Sequence, residues 1–140
     1  MPVLSVKIKG EINENFASLC EGFVARLANE FYDALVSNIR SNKYGFSNKP
    51  STIKRKHSAI PMIDSGEYIS KISVEKGKVL IQEGTHTITG ISFGELSDLL
   101  EYGRRDKGFM GYPVWRKTLE DMRPYFMKEW EKFVQANLFE

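Results

Sequence analysis

"EINENFASLCEGFVARLANEFYDALVSNIR", residues 11–40, decides the fold. Ile12, Phe16, Leu19, Cys20, Phe23, Val24, Leu27, Phe31, Leu35 and Ile39 recur at intervals of three and four, the spacing of one face of an α-helix. Glu11 and Glu14 stand in the first turn, where the helix dipole favours negative charge, and Arg40 and Lys43 stand near the end, where it favours positive charge. The pattern predicts one amphipathic helix of about 30 residues that supplies half of a core. Cys20 shares the apolar stripe and reads as a small buried hydrophobe; as the single cysteine it excludes an internal disulfide.

The flanks change period. In "VLSVKIK", Leu4, Val6 and Ile8 alternate with Ser5 and Lys7, a short first strand closed by Gly10. After the helix, "NKYGFSNKPSTIKRKHSAIP" is rich in Asn, Ser, Gly and Pro and reads as a loop over about 43–62. No Asp or Glu occurs from Ala34 through Ile63, while Arg40, Lys43, Lys49, Lys54, Arg55 and Lys56 are basic. Two readings of this loop stand: lysines that merely keep it solvated, or a surface for phosphate or an acidic protein face.

In "EYISKISVEKGKVLIQEG", Ile72 and Val74 alternate with Lys71 and Ser73, and "KVLIQ" follows. "EKG" predicts a hairpin turn of about three residues. "THTITGISF" suggests a third antiparallel strand. "GELSDLLEYG" is expected to give only a short helical turn, capped by Ser97 and ended by Gly103. Trp115, Leu119, Met122, Phe126, Trp130, Phe133 and Val134 form a second helical stripe. Pro113 suits its first turn, and Pro124 should kink or break it. The sum is a single α+β domain, residues 1–140, in which a small antiparallel sheet of three to four strands is packed by a long N-terminal helix and a C-terminal helix.

Composition narrows the function classes. With 140 residues, 41% of them hydrophobic and 12% aromatic, the chain suffices for one cored domain. A net charge of +2 is far below that of a dedicated nucleic-acid binder. No run is long and apolar enough for a membrane span, and the start lacks a signal core, so a protein made in a cytoplasm is expected. His57 and His86 are the only histidines, and no metal-ligand spacing or phosphate-cradling glycine pattern occurs. "SFGEL" is not a nucleophile elbow, and pairing Glu67 with Glu101 as acid and base would be arbitrary. No catalytic residue, cofactor, metal or small-molecule substrate is expected. A small nucleic-acid-binding module using the basic loop is the main alternative to a structural role.

In "LLEYGRRDKGFMGYPVW", residues 99–115, Gly103 can end a helical turn, and Gly108 and Gly111 permit tight bends. Tyr112 and Phe109 are candidates for a core or an interface, and Trp115 for the core. Arg104 and Arg105 suit either a solvated rim or a carboxylate clamp across a subunit boundary.

Two stretches carry a resemblance. "IPMIDSGEYISKI", residues 60–72, resembles the P-x-D-T-G-x-L-x-x-S-I signature of bacteriophage tail-completion (head–tail joining, minor tail) proteins. "LLEYGRRDKGFMGYPVWRKTLE", residues 99–120, resembles that family's downstream x-E-F-G-T and P-A-R-P-F-L-x-P-A-L segment. The start, "VKIKG" before a long helix, is similar too. Asp64, Ser65 and Gly66 take the places of the first signature's aspartate, threonine and glycine. Glu101, Tyr102 and Gly103 take those of the second segment's glutamate, aromatic and glycine, and Pro113, Val114 and Trp115 those of its proline and two bulky residues. Arg104 departs from the family's threonine, Gly111–Tyr112 from its Ala–Arg, and Tyr68 from its leucine, here expected on a half-buried strand.

The resemblance implies a structural virion protein, not an enzyme. It implies a ring of this chain with itself, of six copies, at the head–tail junction. It would touch portal or adaptor proteins, or tail-tube or terminator proteins, and DNA would pass through the lumen. Interface or structural roles then fall to Asp64, Ser65, Gly66, Glu101, Gly103, Arg104, Arg105, Tyr112 and Pro113. The basic loop residues Lys43, Lys49, Lys54, Arg55 and Lys56 would meet DNA or a neighbouring protein.

Overall fold

The computed structural model describes residues 12–46, 66–87 and 89–137. Helix α1, Ile12–Ser41, is the 30-residue helix that the apolar stripe predicts. It ends in a Schellman turn. Asn42 takes a left-handed conformation at φ 49, its N–H reaches the Ile39 carbonyl at 3.2 Å, and Lys43 N–H reaches the Asn38 carbonyl at 3.1 Å. Asparagine tolerates this conformation at a helix C-terminus, and its side chain then bonds both backbone groups of Phe46, at 3.0 and 2.6 Å.

A four-residue helix α2, Glu67–Ser70, follows Gly66. It leads into the hairpin of β1, Ile72–Glu75, and β2, Lys78–Ile81, paired antiparallel with Ile72 opposite Ile81. The turn has two residues, not three. Lys76 and Gly77 both have positive φ, 50 and 75, as a type I′ turn requires. A Cβ on Gly77 would lie 3.0 Å from Val24 Cγ1, so the hairpin tip rests directly on α1.

Among the described residues the sheet has two strands, not three to four. The expected strand at Leu4–Ile8 lies outside them. "THTITGISF" is a tight loop instead, joined only by a bridge between Thr85 and Ser92. His86 N–H donates to the Ile91 carbonyl at 2.8 Å, and Gly90 N–H donates to the His86 carbonyl at 2.8 Å. Gly90, at φ 73, reverses the chain there. The His86 ring is buried, lies within hydrogen-bonding distance of Thr89 Oγ1 at 3.0 Å, and packs edge-on against Phe93. Of the threonines that suggest β alternation, Thr87 and Thr89 are turn residues.

Helix α3 runs over Phe93–Tyr102, ten residues rather than a single turn. Its cap is Ser92, whose Oγ accepts from Glu95 N–H at 3.1 Å, and not Ser97. Phe93 and Leu96 are buried and Leu100 packs against them, a stripe that glycine and serine neighbours disguise. Gly103 ends the helix as expected, with its N–H on the Leu99 carbonyl at 2.8 Å. A 3₁₀ turn at Arg105–Lys107 precedes α4, Val114–Asn137.

Helix α4 passes through Pro124 without a break, against expectation. Pro124 and Glu120, four residues back, are both exposed, so the carbonyl that loses its partner sits on a solvated face. α1 and α4 lie antiparallel: Phe16 meets Phe133 with ring centres 6.0 Å apart, Phe23 stacks on Phe133 at 4.6 Å, and Asn38 Nδ2 donates to Thr118 Oγ1 at 2.9 Å. The core lies at one end of this pair. There Leu35, Ile39, Tyr68, Ile72, Phe93 and Val114 are buried together, each large apolar side chain contributing roughly 1.5–3 kcal/mol. Tyr68 is fully buried on α2, not half-buried on a strand. Among the described residues the other end is a two-helix arm, with Leu19, Val24 and Trp130 half-exposed.

Replacing Pro124 by Ala restores the missing N–H on an exposed helical site. The variant should be more stable by about 1–3 kcal/mol in urea unfolding.

Candidate functional site

Helix α4 starts with a problem. Pro113 precedes it and has no side-chain acceptor, so the N–H groups of the first turn need a cap from elsewhere. Glu101, near the end of α3, provides it. One carboxylate oxygen accepts from Trp115 N–H at 3.0 Å. The other accepts from Arg116 N–H at 3.0 Å and from Arg116 Nε at 3.0 Å. Arg116 Nη2 also donates to the Glu101 backbone carbonyl at 3.0 Å. Glu101 is buried, 6% exposed, which deprives it of water and makes every one of these bonds necessary. The negative charge lies against the positive end of the α4 dipole.

The sequence singles out Glu101 but not the arginine that pairs with it. Arg104 Nη2 pairs with Asp106 at 3.2 Å, both side chains more than half exposed, a contact worth about 0–1 kcal/mol. Arg105 belongs by its backbone to the 3₁₀ turn. The clamp is Arg116, 15 residues from Glu101. A proline with no capping side chain, three residues before an arginine, was the signal available.

The glycines of the segment mark a backbone crossing. A Cβ on Gly103 would lie 2.3 Å from the Phe109 carbonyl oxygen, and one on Gly111 would lie 2.8 Å from the Glu101 carbonyl oxygen. Between them Arg104 N–H donates to the Phe109 carbonyl at 2.7 Å, and Phe109 N–H returns to the Arg104 carbonyl at 3.0 Å. Tyr112 N–H donates to the Leu100 carbonyl, and the Tyr112 ring packs between Phe46 and Phe109, with centres at 5.3 and 5.1 Å. Burial raises the Tyr112 phenol's pKa.

Tyr68 connects the two stretches that carry the resemblance. Its hydroxyl accepts from Trp115 Nε1 at 3.0 Å and sits 3.1 Å from Ser97 Oγ. Burial raises the pKa of this phenol also. Gly66 opens α2 in a left-handed conformation at φ 73, while Asp64 and Ser65 lie outside the described residues. Glu67 is engaged elsewhere, accepting from Thr87 N–H at 3.0 Å and from its hydroxyl at 2.8 Å.

Of the basic residues, Lys49, Lys54, Arg55 and Lys56 lie outside the described residues, as does His57. Lys43 pairs with Asp121 at 3.2 Å, and Asp121 also accepts from the Tyr44 hydroxyl at 2.5 Å. Burial first, and then this hydrogen bond to Asp121, push the Tyr44 phenol up to about 12. The Tyr44 bond, followed by Lys43, holds the Asp121 carboxyl below its ordinary value.

Two apolar depressions adjoin the cap. One of about 410 Å³ is lined by Leu27, Phe31, Val79, Trp115 and Leu119. A second of about 280 Å³ runs between Leu80 and Ile81 and the Asp98–Tyr102 side of α3. Among the described residues no group of three or more His, Cys, Asp or Glu is placed to hold a metal, and no helix is long and apolar enough to cross a membrane. Comparison with known proteins finds no matching family model, curated protein or solved structure.

Glu101→Ala leaves the α4 donors and Arg116 without their acceptor and should cost about 2–4 kcal/mol in urea unfolding. Glu101→Gln keeps an acceptor but loses the charge and should cost less, about 1–2 kcal/mol. Tyr44 ionises later folded than unfolded, so its contribution is complete below pH 10 and lost as pH rises toward about 12. Tyr44→Phe should flatten that alkaline loss in stability measured by urea titration.

Proposed function

We propose that this chain is a structural virion protein of a tailed bacteriophage, a tail-completion or neck component. Copies assemble as a sixfold ring at the head–tail junction and join the tail to the capsid connector, with DNA passing through the lumen. The observation that carries this reading is the use to which the two resembling stretches are put. Tyr68 from the first, and Glu101 and Trp115 from the second, are joined by hydrogen bonds into one frame, with Trp115 Nε1 on the Tyr68 hydroxyl and Trp115 N–H on the Glu101 carboxylate. The carboxylate available for acid–base work is engaged as a helix cap, and the frame orients two long helices with apolar side chains outside.

A closed ring needs head-to-tail contacts between two different faces of one chain. The arm of α1 and α4 offers one such face: Leu19, Met127 and Trp130 are each about half exposed, a concentration of apolar surface suited to burial against a neighbour. The basic stretch follows α1 in the sequence and would meet an acidic neighbour or the DNA. Lys43, at the start of that loop, is paired within the chain, and no described residue favours nucleic-acid recognition over assembly.

Particle imaging tests the assignment. A label on this chain should appear at the head–tail junction, and particles lacking the chain altogether would overturn it. Lys54→Glu with Arg55→Glu should leave the circular dichroism of the purified chain unchanged and yield separate heads and tails. Normal tailed particles from that variant would remove the loop from the joining step.

A further inference from the structure

We infer that two copies of this chain pair face to face about a two-fold axis, through the apolar surface that runs from the α1–α4 groove across β2 to the end of α3. The first observation is that this surface is continuous and exposed. The groove of Val24, Leu27 and Leu119 shares Val79, Trp115 and Arg116 with the depression between β2 and α3. Val24, Leu119 and Tyr102 stand 48, 53 and 58% exposed along it. One large side chain at that exposure is ordinary, but three on one continuous surface mark a contact site.

The second observation is where the charges lie. At the α3 end, Asp98 and Tyr102 line the depression together, and Glu95 precedes Asp98 by one helical turn. Both acids are exposed. The far end is basic. Arg123 comes four residues after Leu119 and three before Phe126, which sets it on the groove side of α4. Lys76 stands at the hairpin tip, beside the Gly77 and Val24 that line the groove. Both bases are exposed, and the ion pairs of the described residues include none of these four charges. Glu21 shares the hollow at the hairpin tip with Lys76, so Arg123 is the charge that a partner must answer. Arg116, in the middle, is already matched by Glu101 at 3.0 Å.

The third is the polarity of the face. From Trp115, α4 runs eight residues to Arg123, about 12 Å of helix. β2 runs the other way, from the tip near Lys76 to Ile81, which lines the depression with Asp98. A face that is acidic at one end, basic at the other and apolar between is complementary to itself when a second copy is laid on it end for end. The two-fold then sets Asp98 of each copy opposite Arg123 of the other, and lays each Tyr102 ring over the other's Leu119 and Val24. A foreign acidic peptide would answer the basic end and leave Glu95 and Asp98 facing no opposite charge; a second copy answers both ends. Such a pairing closes at two copies, so it is a contact additional to the head-to-tail one of a ring.

Sedimentation equilibrium of the full chain tests the pairing. The wild type should be a dimer at micromolar concentrations. Asp98→Lys and Arg123→Glu, both at exposed positions, should each weaken the dimer at least about tenfold with circular dichroism unchanged, because each sets like charges together on both sides of the axis. Mixing the two variants should restore the affinity, since the mixed dimer has a reversed pair on one side and a native pair on the other. A wild type that sediments as a monomer, a larger species that ignores these substitutions, or variants that do not recover when mixed overturns the proposal. Should a charge variant fail to fold, Tyr102→Ala carries the test alone: a dimer as tight as the wild type overturns the proposal, and one at least about tenfold weaker supports it.

Discussion

The carboxylate of Glu101 beneath the first turn of α4 is the constraint from which the rest of the molecule follows. It fixes where the last helix begins, and so which residues of that helix face α1. With the start of α4 held, Trp115 reaches Tyr68 and Thr118 reaches Asn38. Those two contacts join the second half of the chain to the first. The burial of the carboxylate makes the arrangement stringent, since a buried charge with a missing partner is more costly than no charge at all. Arg116 lies over the Tyr102 ring, 5.0 Å from its centre, which keeps the guanidinium at the rim while its Nε faces inward.

Packing divides the paired helices into two regimes. Where α1 ends and α4 begins, three further elements close over them and the side chains are buried. Toward the start of α1, Phe16, Phe23, Trp130 and Phe133 pack the pair together, assisted by Arg26, which bridges to Glu129 at 3.4 Å. An isolated helical pair of this kind gains little from local propensity and depends on what covers its apolar faces. The proposed assembly role would cover the outer sides of the arm, where Leu19, Met127 and Trp130 are half exposed.

The long helix, the hairpin and the C-terminal helix were legible because their periods are regular and their apolar residues are large. The reading failed where local chemistry and tertiary setting disagree. Threonine alternation around His86 resembled a strand, but a buried imidazole and Gly90 make that segment curl. Pro124 looked like a breaker, yet an exposed helix face tolerates the lost bond. Helix α3 was underestimated because Gly94 and Ser97 interrupt its stripe, and because its cap falls one residue before Phe93. At the site, Glu101 and the glycines were found by their types. Arg116 was missed, because a cap supplied from one helix to another is a tertiary contact with no fixed spacing.

The crossing of Gly103 and Gly111 has a further consequence. Residues 104–110 form a loop whose two feet are fastened together, by backbone bonds between Arg104 and Phe109 and by the contact of the glycines themselves. Its exposed tip, at Asp106 to Gly108, is therefore insulated from the helices it connects. Because closing a loop of twice the length adds only about 0.6 kcal/mol, this tip is the natural place for the chain to acquire or lose residues, or to accept a grafted epitope, with the frame beneath it unaltered.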